Sequence, residues 1–477
     1  MYIQVVLVII ALVAILLWLV GGYKQTGNLP SLPAILLAAW IIASAVFGSA
    51  YFVFKLGLFD LTIERLLFSM MLLFLAAGLL KGNVRFQTNT TIEIAMLSFS
   101  LVCVFSMIQH GFVPVTQRFI SPWFVFISAY LFPFFVFVFA KNYIISERDV
   151  TLILNTLFYF GIYLSITAFF EHTNLRQLVF PRYINDFEIG IHIDRARGPF
   201  LNAAFDGVGI LIGFISGLHL LQSKTGFAKV FHQAALLLFF PAVFFTLTRS
   251  VYLGMLITLF IFLGWYKTPF SKWKLISLPL AVVLIFGIIN SPRLLSKERR
   301  EGGVAQVEEV EIRLALLRRS FFMIREDPLM GVGLAQFTPA TMSSYKGPIT
   351  GIEVGAEATI QHSHLVGMTA ELGIVGVLPY LTLIILIIRQ LKQLAGKLPA
   401  TGIMGDNLRV TILAIWCVYL NNNLFVEPSS SIFTNAVPFL FAGLAAGLYT
   451  RSVESALLSP SPTRISRSPL RMVNSHV

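Results

Sequence analysis

Residues 311–333 read EIRLALLRRSFFMIREDPLMGVG and lie in the middle of a long polar interruption, Ser291–Gly376, in an otherwise apolar chain. An apolar block resumes directly after His362-Ser363-His364. The apolar blocks on both sides are long enough to cross a bilayer as helices. We therefore interpret these blocks as a membrane framework. The interruption is then an extracytoplasmic loop, residues 291–362, that carries functional residues.

The composition indicates a membrane protein rather than a soluble domain. Hydrophobic residues make up 57% of the chain and charged residues 12%, and the mean hydropathy is +0.81. A soluble domain is about 45–50% apolar and about 25% charged. Segments that cross a bilayer must be helical here, because backbone polar groups find no partner in lipid. The sequence predicts an all-α polytopic membrane protein with one membrane domain, residues 1–450.

The apolar blocks predict about 13 transmembrane helices, within a range of roughly 12–14. The long loop precedes the last three of them. Met1–Val20 has no basic start and no small-residue cleavage site, so we expect a retained first helix. The predicted spans are Ile3–Val20, Ile35–Phe54, Thr62–Leu80, Ile92–Ile108, Trp123–Ala140, Val150–Phe169, Val208–Leu221, Val230–Leu247, Tyr252–Tyr266, Leu275–Ile289, Leu365–Ile388, Val410–Leu424 and Phe433–Tyr449.

The distribution of basic residues predicts the orientation. Lys and Arg recur in every second loop and in the tail, residues 451–477, which places those segments in the cytoplasm by the positive-inside rule. The N-terminus is then outside, and Glu171–Phe205 faces outward together with the long loop. We expect the Ser/Pro/Arg-rich tail to be disordered. These loops and the tail account for the net charge of +12, which argues against nucleic acid as a partner.

The first candidate site residues are Arg195 and Arg197, directly before Gly198 and Pro199. Glycine and proline break a helix and let backbone N–H groups approach a ligand. One interpretation is a clamp for a phosphate. The other is a pair of interfacial arginines that extend to lipid headgroups.

The second candidate is Arg249, within the polar segment Thr246–Ser250 between two apolar blocks. A tight hairpin places this guanidinium at the membrane face. A guanidinium binds phosphate through two parallel hydrogen bonds, although a simple interfacial anchor has the same sequence pattern.

The third candidate is Arg313, within Glu309–Asp327, where apolar residues recur at helical spacing. This pattern predicts an amphipathic helix on the membrane surface that ends at Asp327-Pro328. We expect its other arginines to face water or headgroups.

The fourth candidate is the pair His362 and His364. Histidine has an ordinary pKa near 6.5 and accepts a proton near neutral pH. No third ligand is spaced for metal binding, and no Cys/His cluster has zinc spacing, so the sequence predicts no metal and no cofactor. Glu371 follows inside the next apolar block. It is predicted to orient the histidine, to pair with an arginine, or to accept a capping hydrogen bond.

Together, these motifs resemble those of the O-antigen ligase/polymerase superfamily of bacterial membrane glycosyltransferases. Arg195–Asn202 is similar to its Arg-x-x-Gly-x-Phe-x-Asn motif, and Thr248-Arg249-Ser250 to its (Ser/Thr)-Arg-(Ser/Gly) hairpin. Pro328–Gly333 is similar to its Pro-Leu-x-Gly-x-Gly segment. His362-Ser363 with Glu371–Gly376 is similar to its final motif, although Ser363 replaces the usual Asn. The similarity covers approximately residues 195–376.

The resemblance implies a GT-C-like helical enzyme of the bacterial inner membrane. Its donor is a glycan on undecaprenyl pyrophosphate, which is transferred to an acceptor sugar hydroxyl at the outer face. It implies that His362 is the base and that Arg249 and Arg195 act on the leaving group, with Arg197 as the alternative to Arg195 for the pyrophosphate contact. It also implies that Arg197, Arg313, His364 and Glu371 bind substrate. A chain-length regulator and a flippase of the same pathway are implied partners.

The activity is predicted to be polymerisation of an exopolysaccharide or O-antigen, because the chain is somewhat longer than expected for a ligase. The alternative is an O-antigen ligase that transfers the glycan to lipid A-core. A lipid-linked glycan transporter is a further alternative, but it needs cationic residues deep within its spans. A sensor or scaffold is disfavoured because the tail is too short for an output domain.

Overall fold

The computed structural model describes residues 29–55, 60–82, 91–113, 119–267, 307–343, 361–427 and 431–458, together with isolated positions 281, 285, 288, 289 and 345. The regular secondary structure of this part of the chain is helical apart from one antiparallel pair of short strands, Phe54–Lys55 (β1) and Asp60–Leu61 (β2). The predicted all-α class is therefore confirmed. The α-helices are α1 (Leu32–Val46), α2 (Ile63–Leu80), α3 (Thr91–His110), α4 (Pro122–Tyr143), α5 (Glu147–His172), α6 (Ala203–Leu220), α7 (Gly226–Phe245), α8 (Arg249–Trp265), α9 (Val307–Glu326), α10 (Phe337–Ser343), α11 (His364–Gln393), α12 (Asp406–Phe425) and α13 (Ile432–Leu458).

Nine helices in the described ranges are long and apolar enough to cross a membrane: α2–α7 and α11–α13. Helices α1 and α8 are apolar but shorter. These eleven coincide with predicted spans, whereas Ile3–Val20 lies outside the described residues and Leu275–Ile289 contains only isolated described positions. The count of 13 therefore stays a prediction.

One predicted span ends too late. The second apolar block was predicted to continue to Phe54, but α1 ends at Val46. The Phe47 N–H closes the last turn on the Ala43 carbonyl, and the chain then turns at Gly48-Ser49. Phe54 belongs to β1 instead. The apolar composition of this block continues past the helix end, so composition alone placed the boundary wrongly.

Helix α6 is the centre of the bundle and is buried along its whole length. Helices that are apolar on all faces are typically buried in this way. Gly213 of α6 meets Gly161 of α5 so closely that a methyl group on either glycine would overlap the other backbone. Small residues that let helices approach are typical of packing within a membrane.

Two helices of the long polar segment pack on the end of this bundle. The predicted amphipathic helix is confirmed as α9, which contacts α11 through Leu316, Met323 and Ala370 in a separate small core. Arg319 contradicts the prediction that the arginines of α9 other than Arg313 face water or headgroups. It is buried and stacks over the Tyr345 ring at 4.5 Å, because α9 is covered on that side.

The segment after α9 is joined to α11 by backbone hydrogen bonds. Helix α11 is broken at Gly373, whose φ of 57° is left-handed. The freed groups pair with residues 328–333: Val332 N–H donates to the Ala370 carbonyl (3.0 Å), and Ile374 N–H donates to the Pro328 carbonyl (3.0 Å). This ladder fixes the start of α11 relative to α9.

Candidate active site

The segment before α6 is held in place by a carboxylate from α5. Glu171 accepts hydrogen bonds from the backbone N–H groups of Arg197 (3.2 Å) and Gly198 (3.1 Å). Gly198 has a φ of 52°, and a side chain there would overlap the buried Asp206 carboxyl. Glycine is therefore required at this turn. Ala196 N–H donates to the Phe245 carbonyl (3.1 Å), which joins this segment to the end of α7.

Arg195 lies on the wall of a cleft of about 930 Å³ at this end of the bundle. Its side chain is only 4% exposed, and Nε lies 3.7 Å from the Asp194 carboxylate, beyond hydrogen-bond distance. Within the described ranges, this Nε has no hydrogen-bond partner. Burial lowers the pKa of Arg195, and the neighbouring Asp194 charge partly opposes that shift.

Arg197, although only two residues away, does not line the cleft. Its buried guanidinium donates to the backbone carbonyls of Ile184 (2.8 Å), Ile189 (2.8 Å) and Asp186. Burial lowers its pKa, and the Glu171 charge opposes that shift. These contacts hold the segment before α6 together and leave the guanidinium facing protein.

Arg249 is the first residue of α8 and lines the same cleft. The hairpin before it is tight: Leu247 has a φ of 45°, and the Thr248 hydroxyl donates to the Thr246 carbonyl (2.8 Å). The N-terminus of a helix carries unpaired N–H groups and a partial positive charge. The guanidinium and the helix end therefore present the same sign of charge to the cleft.

Arg313 of α9 faces the cleft from the other side. Its pKa is lowered by burial and further by the positive charge of Arg249, which shows that the two guanidiniums are close. Neither has an ion-pair or hydrogen-bonding partner among the described residues. Two unneutralised cations side by side are costly, and a bound anion would relieve that cost.

His362 completes this wall, and Gln361 positions it. The Gln361 amide oxygen accepts from the backbone N–H of His362 (2.8 Å), while its amide nitrogen donates to the Leu316 carbonyl (3.3 Å) and the Ser320 hydroxyl. The histidine is thus attached to α9, the helix that carries Arg313. The structure brings Arg195, Arg249, Arg313 and His362 together from four separate segments.

Glu427 also lines the cleft and was missed by the sequence reasoning. It lies two residues after the end of α12, so a carboxylate just beyond the end of a predicted span was the available signal. The described lining contains three arginines and this one glutamate, which leaves an excess of two positive charges. An excess of this size suits a doubly charged anion.

Comparison with protein families identifies this arrangement. Residues 234–381 match the family described as O-antigen ligase. This match confirms the resemblance to the O-antigen ligase/polymerase superfamily. The O-antigen ligase segment contains Arg249, Arg313 and His362, whereas Arg195 and Glu427 reach the cleft from outside it. No curated protein matches the chain. Together with the apolar helices, this match supports a multi-pass membrane protein that contains an O-antigen ligase segment.

The two remaining candidates lie beside this cleft, in a second cavity. His364 is buried, with Nδ1 3.5 Å from the Glu427 carboxylate, and its ring packs against Tyr130 and Tyr380. The Glu371 carboxylate accepts from the backbone N–H groups of Ala335 and Phe337, both at 3.0 Å. Of the roles predicted for Glu371, these contacts are those of a helix cap at the start of α10.

The described residues contain no group of three or more His, Cys, Asp or Glu side chains placed to hold a metal ion. The charge of the cleft is supplied by guanidinium groups instead. A guanidinium presents fixed N–H donors that match phosphate oxygens in pairs.

Proposed function

We propose that the protein is a polymerase of a bacterial surface polysaccharide, an exopolysaccharide or an O-antigen. In this proposal it transfers a glycan from undecaprenyl pyrophosphate to an acceptor sugar hydroxyl at the outer face of the inner membrane. The observation that carries it is the convergence of Arg195, Arg249 and Arg313 with His362 on one cleft. A flippase supplies the donor, and a chain-length regulator is an expected partner.

The proposed step is a displacement at the anomeric carbon of the donor. The acceptor hydroxyl oxygen forms a bond to that carbon while the bond from carbon to pyrophosphate oxygen breaks. The electron pair leaves with undecaprenyl pyrophosphate, and the hydroxyl proton passes to His362. Negative charge grows on the leaving oxygen, so cations directed at it accelerate the step. Since the guanidinium groups meet this need, we expect turnover to persist with a metal chelator.

The polymerase proposal is tested first in cells that lack the gene. Single repeat units should accumulate on the undecaprenyl carrier, as measured by gel and mass profiles of the lipid-linked glycan. Long lipid-linked chains that fail to reach a final acceptor would instead support the alternative, a ligase acting on lipid A-core. An unchanged profile would contradict both the polymerase and the ligase and would favour a lipid-linked glycan transporter.

The role of the cleft is tested by complementing that strain with variants. We expect Arg249→Ala to lower turnover by about 100- to 1,000-fold, the typical effect of removing one donor to a developing anion, and His362→Ala to abolish product. Both proteins should insert at wild-type yield. Arg318→Ala is the matched control, because Arg318 is exposed on α9 and does not line the cleft. Wild-type polymer from inserted Arg249→Ala protein would refute the arginine's role.

A further inference from the structure

The second cavity lies directly beside the cleft, on the far side of the turn that carries His362. It has a volume of about 240 Å³. This is large compared with the roughly 30 Å³ that one water molecule occupies in the liquid. Glu427 lines both spaces, and Gln361 and His364 flank His362 from the side of the smaller one. The two spaces therefore meet at the proposed base.

The lining of this second cavity differs in charge from that of the cleft. No arginine or lysine lines it among the described residues, and two carboxylates do, Glu371 and Glu427. The described lining therefore lacks the guanidinium donors that suit a pyrophosphate in the cleft. Hydroxyl groups, which are neutral donors, would be attracted, because each carboxylate oxygen accepts more than one hydrogen bond.

The remaining walls suit a small polar ring. Tyr130 and Phe337 supply aromatic surface. The Thr338 hydroxyl is buried in the same wall and has no hydrogen-bond partner within the described part of the chain. A buried hydroxyl without a partner costs stability unless water or a ligand satisfies it. The wall of this cavity therefore contains an unmet hydrogen-bonding group as well as acceptors.

The backbone also deviates from regular geometry at this wall. Helix α4 contains a π-helical turn, Phe126–Leu131, and Tyr130 belongs to that turn. Such turns are rare within α-helices and are frequent at functional sites. This observation is independent of the polar groups, since it concerns the backbone of a different helix.

We propose that the second cavity binds the terminal sugar of the acceptor glycan and directs one of its hydroxyls past Glu427 to His362. This inference rests on the proposed glycosyl transfer. The donor sugar stays with its pyrophosphate in the arginine-lined cleft, and the acceptor arrives from the carboxylate-lined side. Thr338 and Glu371 then contact acceptor hydroxyls without contacting the reacting atoms, which makes them specificity-determining residues.

The test separates acceptor binding from donor binding. The donor is the lipid-linked repeat unit isolated from cells that lack the gene. The acceptor is the same glycan released from its lipid, which has lost its leaving group and can only accept. Thr338→Val removes the hydroxyl and keeps the shape, and Thr338→Phe fills the cavity. Thr258→Val is the matched control, because Thr258 is buried, lines neither space and already bonds to the Gly254 carbonyl (2.8 Å).

We expect Thr338→Val to raise the acceptor KM about fivefold, the effect of one lost hydrogen bond. Thr338→Phe should raise it more than about tenfold, as expected for a ligand group left unpaired or displaced. The donor KM should stay within about twofold in both variants, since the cleft is untouched.

Three outcomes would overturn this assignment. If the acceptor KM of the Thr338 variants equals that of Thr258→Val, the cavity binds no acceptor. A raised donor KM with an unchanged acceptor KM would assign the cavity to the donor sugar. An inactive wild-type protein would overturn the proposed function, and this inference with it. A melting temperature of Thr338→Val no lower than that of Thr258→Val guards against a folding defect as the cause.

Discussion

Arg195 and Arg197 are separated by one residue, yet the fold gives them opposite surroundings. Arg195 faces the cleft with its Nε unbonded within the described residues, and Arg197 donates to three backbone carbonyls. Two residues with the same side chain and nearly the same position cannot be told apart by spacing. The difference arises because the partners of Arg197 are carbonyl oxygens of residues 184–189, which any sequence supplies.

We predict that the two arginines fail in different ways when each is changed to glutamine. Arg197→Gln leaves buried carbonyls without donors, at about 1–3 kcal/mol for each unsatisfied group, so membrane yield and melting temperature should fall. Arg195→Gln should keep the wild-type membrane yield and melting temperature, and it should lower turnover by at least about tenfold. The measurements are detergent size-exclusion melting curves and polymer yield per inserted protein. Normal yield with lost turnover in Arg197→Gln would place Arg197 at the substrate instead.

At the scale of elements, the site depends on the break in α11. Gly373 interrupts the helix, and the backbone of residues 328–333 pairs with the groups that the break releases. A methyl group at Gly373 would overlap the Leu329 carbonyl. The two segments are therefore in direct backbone contact, which fixes the distance between α9 with Arg313 and the turn with His362.

Gly373→Ala should disrupt this junction. Its backbone conformation (φ 57°, ψ −163°) is adopted readily by glycine alone and costs a residue with a side chain about 1–3 kcal/mol, and the overlap with Leu329 adds to that cost. We expect a lower melting temperature and loss of activity. The control is Gly264→Ala in α8, where the added methyl meets no atom beyond its own helix backbone and its chain neighbours within 4 Å, so that variant should be unchanged or slightly more stable. A Gly373→Ala protein as stable and active as the control would contradict the proposed role of the break.

The helices themselves were predictable, because the pattern that indicates each helix lies within one contiguous stretch of sequence. Apolar blocks located eleven helices, and Asp327-Pro328 ended α9 as expected. The contacts that assemble the site were not predictable. Glu371 caps α10, more than thirty residues earlier in the chain, and Arg319 is buried by stacking on Tyr345. Both depend on which segments pack together, and neither leaves a spacing pattern.

At the scale of the whole molecule, the two ends of the bundle are chemically distinct. One end holds the cleft, the second cavity and the N-termini of α8 and α11. The other end holds a polar clamp between α8 and α12: Asp406 lies 2.9 Å from both Lys267 Nζ and Arg409 Nε. At the same end, His219 Nδ1 of α6 lies within hydrogen-bond distance of the Thr411 hydroxyl (2.8 Å). Lys267 and Arg409, two of the basic residues used for the orientation, belong to this clamp.

This separation gives the last prediction, which concerns the direction of the whole molecule in the membrane. If the cleft faces outward, as glycan transfer from an outward-presented donor requires, then Glu188→Cys near the cleft must react with an impermeant maleimide in cells whose outer membrane alone is opened. Ala228→Cys at the start of α7 must react only after the inner membrane is permeabilised. Both positions are exposed. The natural thiols, buried Cys103 and half-buried Cys417, are first changed to alanine. Labelling of Ala228→Cys in cells with a sealed inner membrane, with Glu188→Cys unlabelled, would show that the topology is inverted. The cleft would then lie on the side where the donor is not presented.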